Sequence, residues 1–226
     1  MSKLEVPNLP AGTVHLWEVD LDENSSAEAL SDEERARAAR FRFDLHRNRF
    51  VAGRLALRRL IGGYLGMDPG AVAFKYSAAG KPSVSNSNLA FNLAHSEARG
   101  LIGFALSNCI GVDVEEIRPI EDMRMVAQHS FSENEFARWD RVEGPDRVLA
   151  FYRCWTRKEA FLKATGEGIA HRLKSFDVSF ESGIPPRILS GVNGNWAFRD
   201  VSAEPHYAAA VACEGGPFTV EWKIYR

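Results

Sequence analysis

The segment "GVDVEE", residues 111 to 116, places two carboxylates two residues apart. In an extended strand Asp113 and Glu115 share a side with Gly111, while Ile110, Val112 and Val114 share the other. At a rise of roughly 3.4 Å per residue, the two acids stand about 7 Å apart at their Cα atoms. Like charges held this close need either water or a cation. A solvated strand face is the ordinary home of acidic side chains. A shared hard cation is the alternative, because Mg²⁺ and Ca²⁺ take oxygen ligands from a rigid support. A third carboxylate lies further along, in "FYRCWTRKEAFLKATGEGI". Helical spacing puts Phe151, Cys154, Trp155 and Leu162 on one apolar stripe, with Lys158 inside it and Glu159 and Lys163, one turn apart, at its edge. An exposed Glu159–Lys163 pair, with a Lys158 that buries only its stem, would account for these residues without chemistry. Three carboxylates and two lysines converging on a cleft would instead suit metal-assisted phosphoryl transfer.

Basic residues in the first half invite an anionic ligand. Arg37 and Arg40 fall in one helical segment, Arg47, Arg49 and Arg54 in the next, and Arg54 shares a stripe with Phe50, Leu57 and Ile61. A solvated helix face explains most of them, and Arg54 least well. The turn "AAGKPSV" offers Lys81 and Pro82 with free backbone groups. "FNLAHSE" sets His95 at a strand end, with no second histidine at metal-ligand spacing.

Composition bounds the function. The chain has 226 residues, 45% hydrophobic, with a formal net charge of −2. That is enough apolar residue for a real core, and it lacks the cationic excess of a general nucleic-acid binder. Cys109, Cys154 and Cys213 have no paired spacing, so neither a disulfide framework nor a zinc site is expected. "MSKLEVPNLPAG" has no signal-peptide core, and no apolar run is long enough to span a bilayer. A cytoplasmic protein without a membrane or nucleic-acid partner is the expectation.

The pattern predicts an α+β fold in two similar halves, residues 1–111 and 112–226. "TVHLWEVDL" alternates as a strand, "SDEERARAARF" reads as a helix capped by Ser31 with Glu34 three residues on, and a longer helix covers 45 to 65. "AVAFKYS", "LAFNLAHS", "GLIGFALS" and "CIGVDVEEI" follow as strands. Helices are expected at 121 to 129, 132 to 141 and 146 to 165, and then "SFDVSF", "NWAFRD", "HYAAAVACE" and "FTVEWKIY" as strands.

"FNLAHS", "GVDVEE" and "FYRCWTRKEAFLKATGEGI", in this order and at these separations, resemble the 4'-phosphopantetheinyl transferases of the monomeric surfactin-synthetase-activating (Sfp) type. "RNRFVAGRLALRRLIG" and "GKP" extend the likeness over most of the chain. The resemblance implies two pseudo-twofold-related halves, each a small antiparallel sheet packed with helices, and coenzyme A in the cleft between them. It implies transfer of the 4'-phosphopantetheine arm to a serine of an apo acyl, peptidyl or polyketide-type carrier protein, with release of 3',5'-ADP. Carried over residue by residue, it gives Asp113, Glu115 and Glu159 as Mg²⁺ ligands, with Glu159 also a candidate general base. Lys163 would offset charge on the diphosphate, with Lys158 in support. Arg37, Arg49, Asn92 and His95 match coenzyme A-contacting positions, and Lys81 with Pro82 the adenine-side turn. The chain departs from the pattern at Ala94, where many relatives carry Ser, and at Glu34, where some carry Lys. Ile117, Met123 and Phe131 are candidates for a partner surface, with core packing as the competing account. Two rival classes remain: a magnesium-dependent nuclease or phosphohydrolase, and a non-catalytic module that binds coenzyme A or a carrier protein.

Overall fold

The computed structural model describes residues 4–23, 27–106, 109–168, 172–201 and 206–226. The first half contains β1 (Thr13–Asp20), α1 (Asp32–Ala38), α2 (Asp44–Leu65), β2 (Phe74–Tyr76), β3 (Pro82–Val84), β4 (Leu89–Ser96) and β5 (Arg99–Leu106). The second contains β6 (Ile110–Glu116), α3 (Met123–Ser130), α4 (Glu133–Trp139), α5 (Asp146–Thr165), β7 (Asp177–Val178), β8 (Ile188–Ser190), β9 (Trp196–Asp200), β10 (Tyr207–Glu214) and β11 (Thr219–Ile224).

The arrangement is α+β, and each half repeats one theme: a long helix lying on a sheet. The helices α2 and α5 both end on a glycine in the left-handed region, Gly66 at φ 70° and Gly166 at φ 68°, where a side chain would be strained. The predicted capping box of α1 is present, with Ser31 and Glu34 exchanging backbone bonds. One sheet has the order β11-β1-β5-β4, a second β6-β10-β9, and β2-β3 and β7-β8 form two-stranded sheets.

Alternation along the strands decides the layers. Trp17, Val19 and Phe104 face Leu57 and Ile61 of α2, whereas Val14, Leu16 and Leu101 face Val112, Val114 and Val211 of the other sheet. On the far side of that sheet, Ala208, Ala210 and Ala212 face Phe161 and Leu162 of α5. The chain therefore stacks as helix, sheet, sheet, helix, with a third core trapped between the sheets.

One detail differs from the sequence expectation. The last strand, β11, pairs in parallel with β1 from Thr13↔Thr219 to Glu18↔Ile224, so the first sheet is not purely antiparallel and takes its edge strand from the far end of the chain. The expected boundary between residues 111 and 112 lies inside β6. The strands in "AVAFKYS" and "SFDVSF" are shorter than their sequence patterns, because each pairs with one short partner, β3 and β8. Among the described residues, no helix is long and apolar enough to cross a membrane.

Candidate active site

Gly111 sets the geometry of the site. A Cβ there would stand 2.0 Å from the Ala160 carbonyl oxygen and 2.4 Å from the Ala164 nitrogen, so only glycine lets α5 rest directly on β6. The alanines of β10 continue the same flat floor. Asp113 and Glu115, on the same side of β6, are thereby carried under the face of α5 that bears Glu159 and Lys163. This is no solvated strand face: Asp113 is only 3% exposed and Glu159 only 5%.

The contacts within the site are few and uneven. Lys163 Nζ donates to Asp113 Oδ1 at 2.6 Å, while the buried Asp113 Oδ2 has no hydrogen-bond partner among the described residues. Ser96 Oγ donates to Glu115 Oε2 at 3.1 Å and accepts the Glu116 backbone N–H at 3.0 Å, which ties β4 to β6 across the seam between the halves. Burial, with added repulsion from Glu115 and Glu159, pushes Asp113 up to about 7 despite Lys163. Burial raises Glu115 and Glu159 as well. Burial also works against the Lys163 charge, but Asp113, Glu159 and Glu115 outweigh it and raise the ammonium pKa. Loss of solvent, then the Lys163 and Arg49 charges, lowers His95, which is thus electrostatically part of the same cluster.

Two cavities border α5, and the smaller is lined by one of the site carboxylates, Glu115. One, of about 540 Å³, is lined by Tyr76, Lys81, Pro82, Ser83, Cys109 and Gly166. The Lys81 ammonium caps α5 there, donating to the Ala164 carbonyl at 2.6 Å and the Ile110 carbonyl at 3.0 Å. Desolvation lowers its pKa. The other cavity, of about 350 Å³, opens beside Glu115 and is walled by Ile120, Val126, Phe151, Tyr152 and Trp155.

The remaining sequence candidates fall at varying distances from this centre. Arg49 pairs with Asp22 at 2.7 Å and Glu97 at 2.8 Å, and Arg37 is exposed with its guanidinium over the Phe50 ring. Asn92 is not free to bind a ligand through its carbonyl, which accepts the Val112 N–H at 2.8 Å and joins the two sheets. Lys158 is a clear correction. Its ammonium is fully buried on another side of α5, bonded to Glu135 Oε2 and the Phe176 carbonyl, each at 2.5 Å, so it supports the core and not the cleft. Phe131 is likewise core, at 1% exposure, while Ile117 and Met123 are partly buried against the same cluster.

The two departures from the family pattern have structural accounts. Glu34 is buried and bonds both Arg54 Nε and Arg58 Nε at 2.6 Å, which also explains a basic residue on the α2 stripe. Ala94 faces the core between the sheets, away from solvent. Sequence reasoning passed over Ser96 and placed Trp155 only on the apolar stripe of α5. Strand alternation offered a signal for the first, since Ser96 shares a side with Asn92 and Ala94. The four-residue step from Glu159 back to Trp155 offered one for the second.

Among the described residues no three His, Cys, Asp or Glu side chains are gathered closely enough to hold a metal ion as they stand. Their chemistry nevertheless fits a hard divalent cation. The donors are all carboxylate oxygens, they repel one another, and Asp113 Oδ2 is buried without a hydrogen-bond partner among the described residues.

Crowded acids beside a lysine, with two cavities along α5, make a cleft suited to binding and cutting a phosphate ester. The comparisons with known proteins agree on the class. Residues 109–213 match the model of the 4'-phosphopantetheinyl transferase superfamily, and residues 16–103 that of the 4'-phosphopantetheinyl transferase N-terminal region. The chain is 38% identical over 220 residues to 4'-phosphopantetheinyl transferase HetI of Nostoc sp., covering 92% of each chain. It is 31% identical to a phosphopantetheinyl transferase of Thraustochytrium sp., covering 82% of this chain and 70% of the relative. It is also 31% identical to 4'-phosphopantetheinyl transferase psf-1 of Bacillus pumilus, covering 85% and 82%. The chain belongs to the 4'-phosphopantetheinyl transferase family, enzymes that move the phosphopantetheine arm of coenzyme A onto carrier proteins.

Proposed function

We propose that the protein is a magnesium-dependent, Sfp-type member of the family, acting as a cytoplasmic monomer on the serine hydroxyl of an apo acyl or peptidyl carrier protein. The observation that carries this reading is the Gly111 contact, because it lets α5 rest on β6 closely enough for Asp113 and Glu115 to lie under Glu159 and Lys163. The division of labour follows the two halves, residues 1–111 and 112–226, with coenzyme A lying between them.

Asp113, Glu115 and Glu159 would hold the cation. A bound Mg²⁺ would supply charge stabilisation on the diphosphate of coenzyme A. Lys163, which donates to Asp113 at 2.6 Å, would offset negative charge on the diphosphate as the bridging P–O bond breaks. His95, kept uncharged by its lowered pKa, offers a neutral hydrogen-bonding group toward the phosphates, and Arg49 and Arg37 carry positive charge on the first-half side. Lys81 and Pro82 line the larger cavity, which suits the nucleotide end. In the reaction the serine oxygen bonds to the phosphorus that carries the arm, and 3',5'-ADP leaves. The serine proton would pass to Glu159 as general base, directly or through water.

Intact-protein mass spectrometry tests this directly. An apo carrier incubated with the protein, coenzyme A and Mg²⁺ gains the mass of one phosphopantetheine arm. An unchanged carrier mass, whether coenzyme A is hydrolysed or merely bound, would place the protein with a phosphohydrolase or a binding module.

A further inference from the structure

The turn between β4 and β5 carries a residue that backbone geometry does not favour. Ser96 pairs with Arg99, so Glu97 and Ala98 alone make the turn. Glu97 sits in the left-handed region at φ 49°, and among the described residues only Asn86, at φ 55°, shares that region without being glycine. Asparagine tolerates it, whereas a longer side chain is strained there. A strained residue beside a functional centre points to a task for its side chain. What the carboxylate touches supplies the task. Arg49 of α2 donates to Glu97 Oε2 at 2.8 Å, and Arg118, in the loop after β6, donates to Oε1 at 3.4 Å. The two oxygens therefore hold one arginine from each half of the chain. Arg49 also gives its Nε and Nη2 to Asp22, at 2.7 and 3.2 Å, and Arg118 lies 3.8 Å from Glu116. The Arg49 bond lowers the Glu97 pKa, and the Arg118 and His46 charges add to that, so the carboxylate stays ionised. After burial and Lys163, the Arg49 charge lowers His95 as well, so this guanidinium is close to the cleft.

We propose that Glu97 competes with a phosphate of the donor for Arg49 and Arg118, and so sets how tightly coenzyme A and 3',5'-ADP are held. The inference rests on the assignment of the cleft to coenzyme A and of Arg49 to its phosphates. A phosphate group offers this pair of arginines at least as many oxygens and as much charge as a carboxylate does. The exchange is easy on the protein side. Glu97 is 43% exposed and Arg118 64%, and ion pairs so open to water are weak. Once displaced, the Glu97 carboxylate turns to water and remains a negative charge beside the bound phosphate. The competition therefore lowers affinity for donor and product alike, and it shortens the time for which the nucleotide product is kept.

Titration calorimetry with coenzyme A and with 3',5'-ADP provides the test. Glu97→Gln removes the charge and keeps the size of the side chain, and it is expected to tighten both ligands at least about threefold. Adding Arg118→Gln to Glu97→Gln is expected to reduce that gain, because one of the two released arginines is then missing. Glu143→Gln removes an equal charge from an exposed position elsewhere and is expected to change neither ligand. Weaker binding in Glu97→Gln would overturn the proposal and make Glu97 a clasp that holds the arginines in place for the phosphate. Unchanged binding, an equal gain in Glu143→Gln, or a gain that Arg118→Gln leaves whole would overturn it as well. Wild-type protein that binds neither ligand would sink the coenzyme A reading itself, and the competition with it.

Discussion

Helix α5 supplies the lysine of two short lysine–carboxylate pairs, to Glu135 of α4 and to Asp113 of β6, that differ in how fully their hydrogen bonds are met. Lys158 and Glu135 are both fully buried, and every contact is answered. Glu135 accepts from Lys158, from the Ser132 N–H at 2.9 Å and from the Val178 N–H at 2.7 Å, and the ammonium also reaches the Phe176 carbonyl and stands 4.2 Å from the centre of its ring. Lys163 and Asp113 make one bond, leave one buried oxygen unanswered among the described residues, and stand among two further acids. A complete network fixes structure; an incomplete one in a cleft keeps capacity for a ligand.

Substitutions can break this comparison at either end. The largest effect is expected from Asp113→Ala, which should lower kcat at least about 10³-fold, about 4 kcal/mol of transition-state stabilisation, with the melting temperature little changed. Steady-state kinetics and a thermal scan check both halves of that statement. Lys158→Met should do the reverse. Breaking a buried, bonded pair costs about 3–5 kcal/mol of stability, read by urea unfolding, while turnover per folded molecule stays near wild type.

Solution pH sharpens the contrast. Asp113 is raised to about 7 in the folded state from an ordinary 3.8, and Glu115 and Glu159 are raised too. Between these values the folded protein holds protons that the unfolded chain has released, so stability of the metal-free protein falls as pH climbs from about 4 to 7. Urea midpoints across that range should show the decline, and Asp113→Asn should flatten it. A flat profile in the wild type would mean that the acids are already neutralised by some other contact. The smallest effect is expected from Ser96→Ala. Losing one hydrogen bond to a charged group should weaken Mg²⁺ binding about tenfold, with Ser96→Thr restoring it, as measured by calorimetry.

Much of this was legible in the sequence, for stated reasons. The α5 boundaries follow from its periodicity and its closing glycine, and β6 follows from the alternation of "GVDVEE", so the grouping of Asp113, Glu115, Glu159 and Lys163 could be anticipated. The role of Lys158 could not. Its position on the apolar stripe was visible, but its partner Glu135 comes from a separate helix, and pairing between distant segments leaves no local mark. Glu34 was obscure for the same reason, since its capping bond was readable and its arginine partners were not. The partner strand of β1 also escaped notice, because "FTVEWKIY" reads as a strand wherever it pairs.

That pairing has a consequence for how the protein is made. Thr13 and Thr219, whose hydroxyls meet at 3.1 Å, are 206 residues apart. A nascent chain leaving the ribosome therefore exposes this border of the sheet until the 206 residues that follow Thr13 have been made, and chaperones or aggregation can act on that border in the interval. Deleting Ile224 and Tyr225 would disturb β1 at a distance in sequence, because Ile224 pairs with Glu18 and the Tyr225 N–H donates to the Glu18 carbonyl at 2.9 Å.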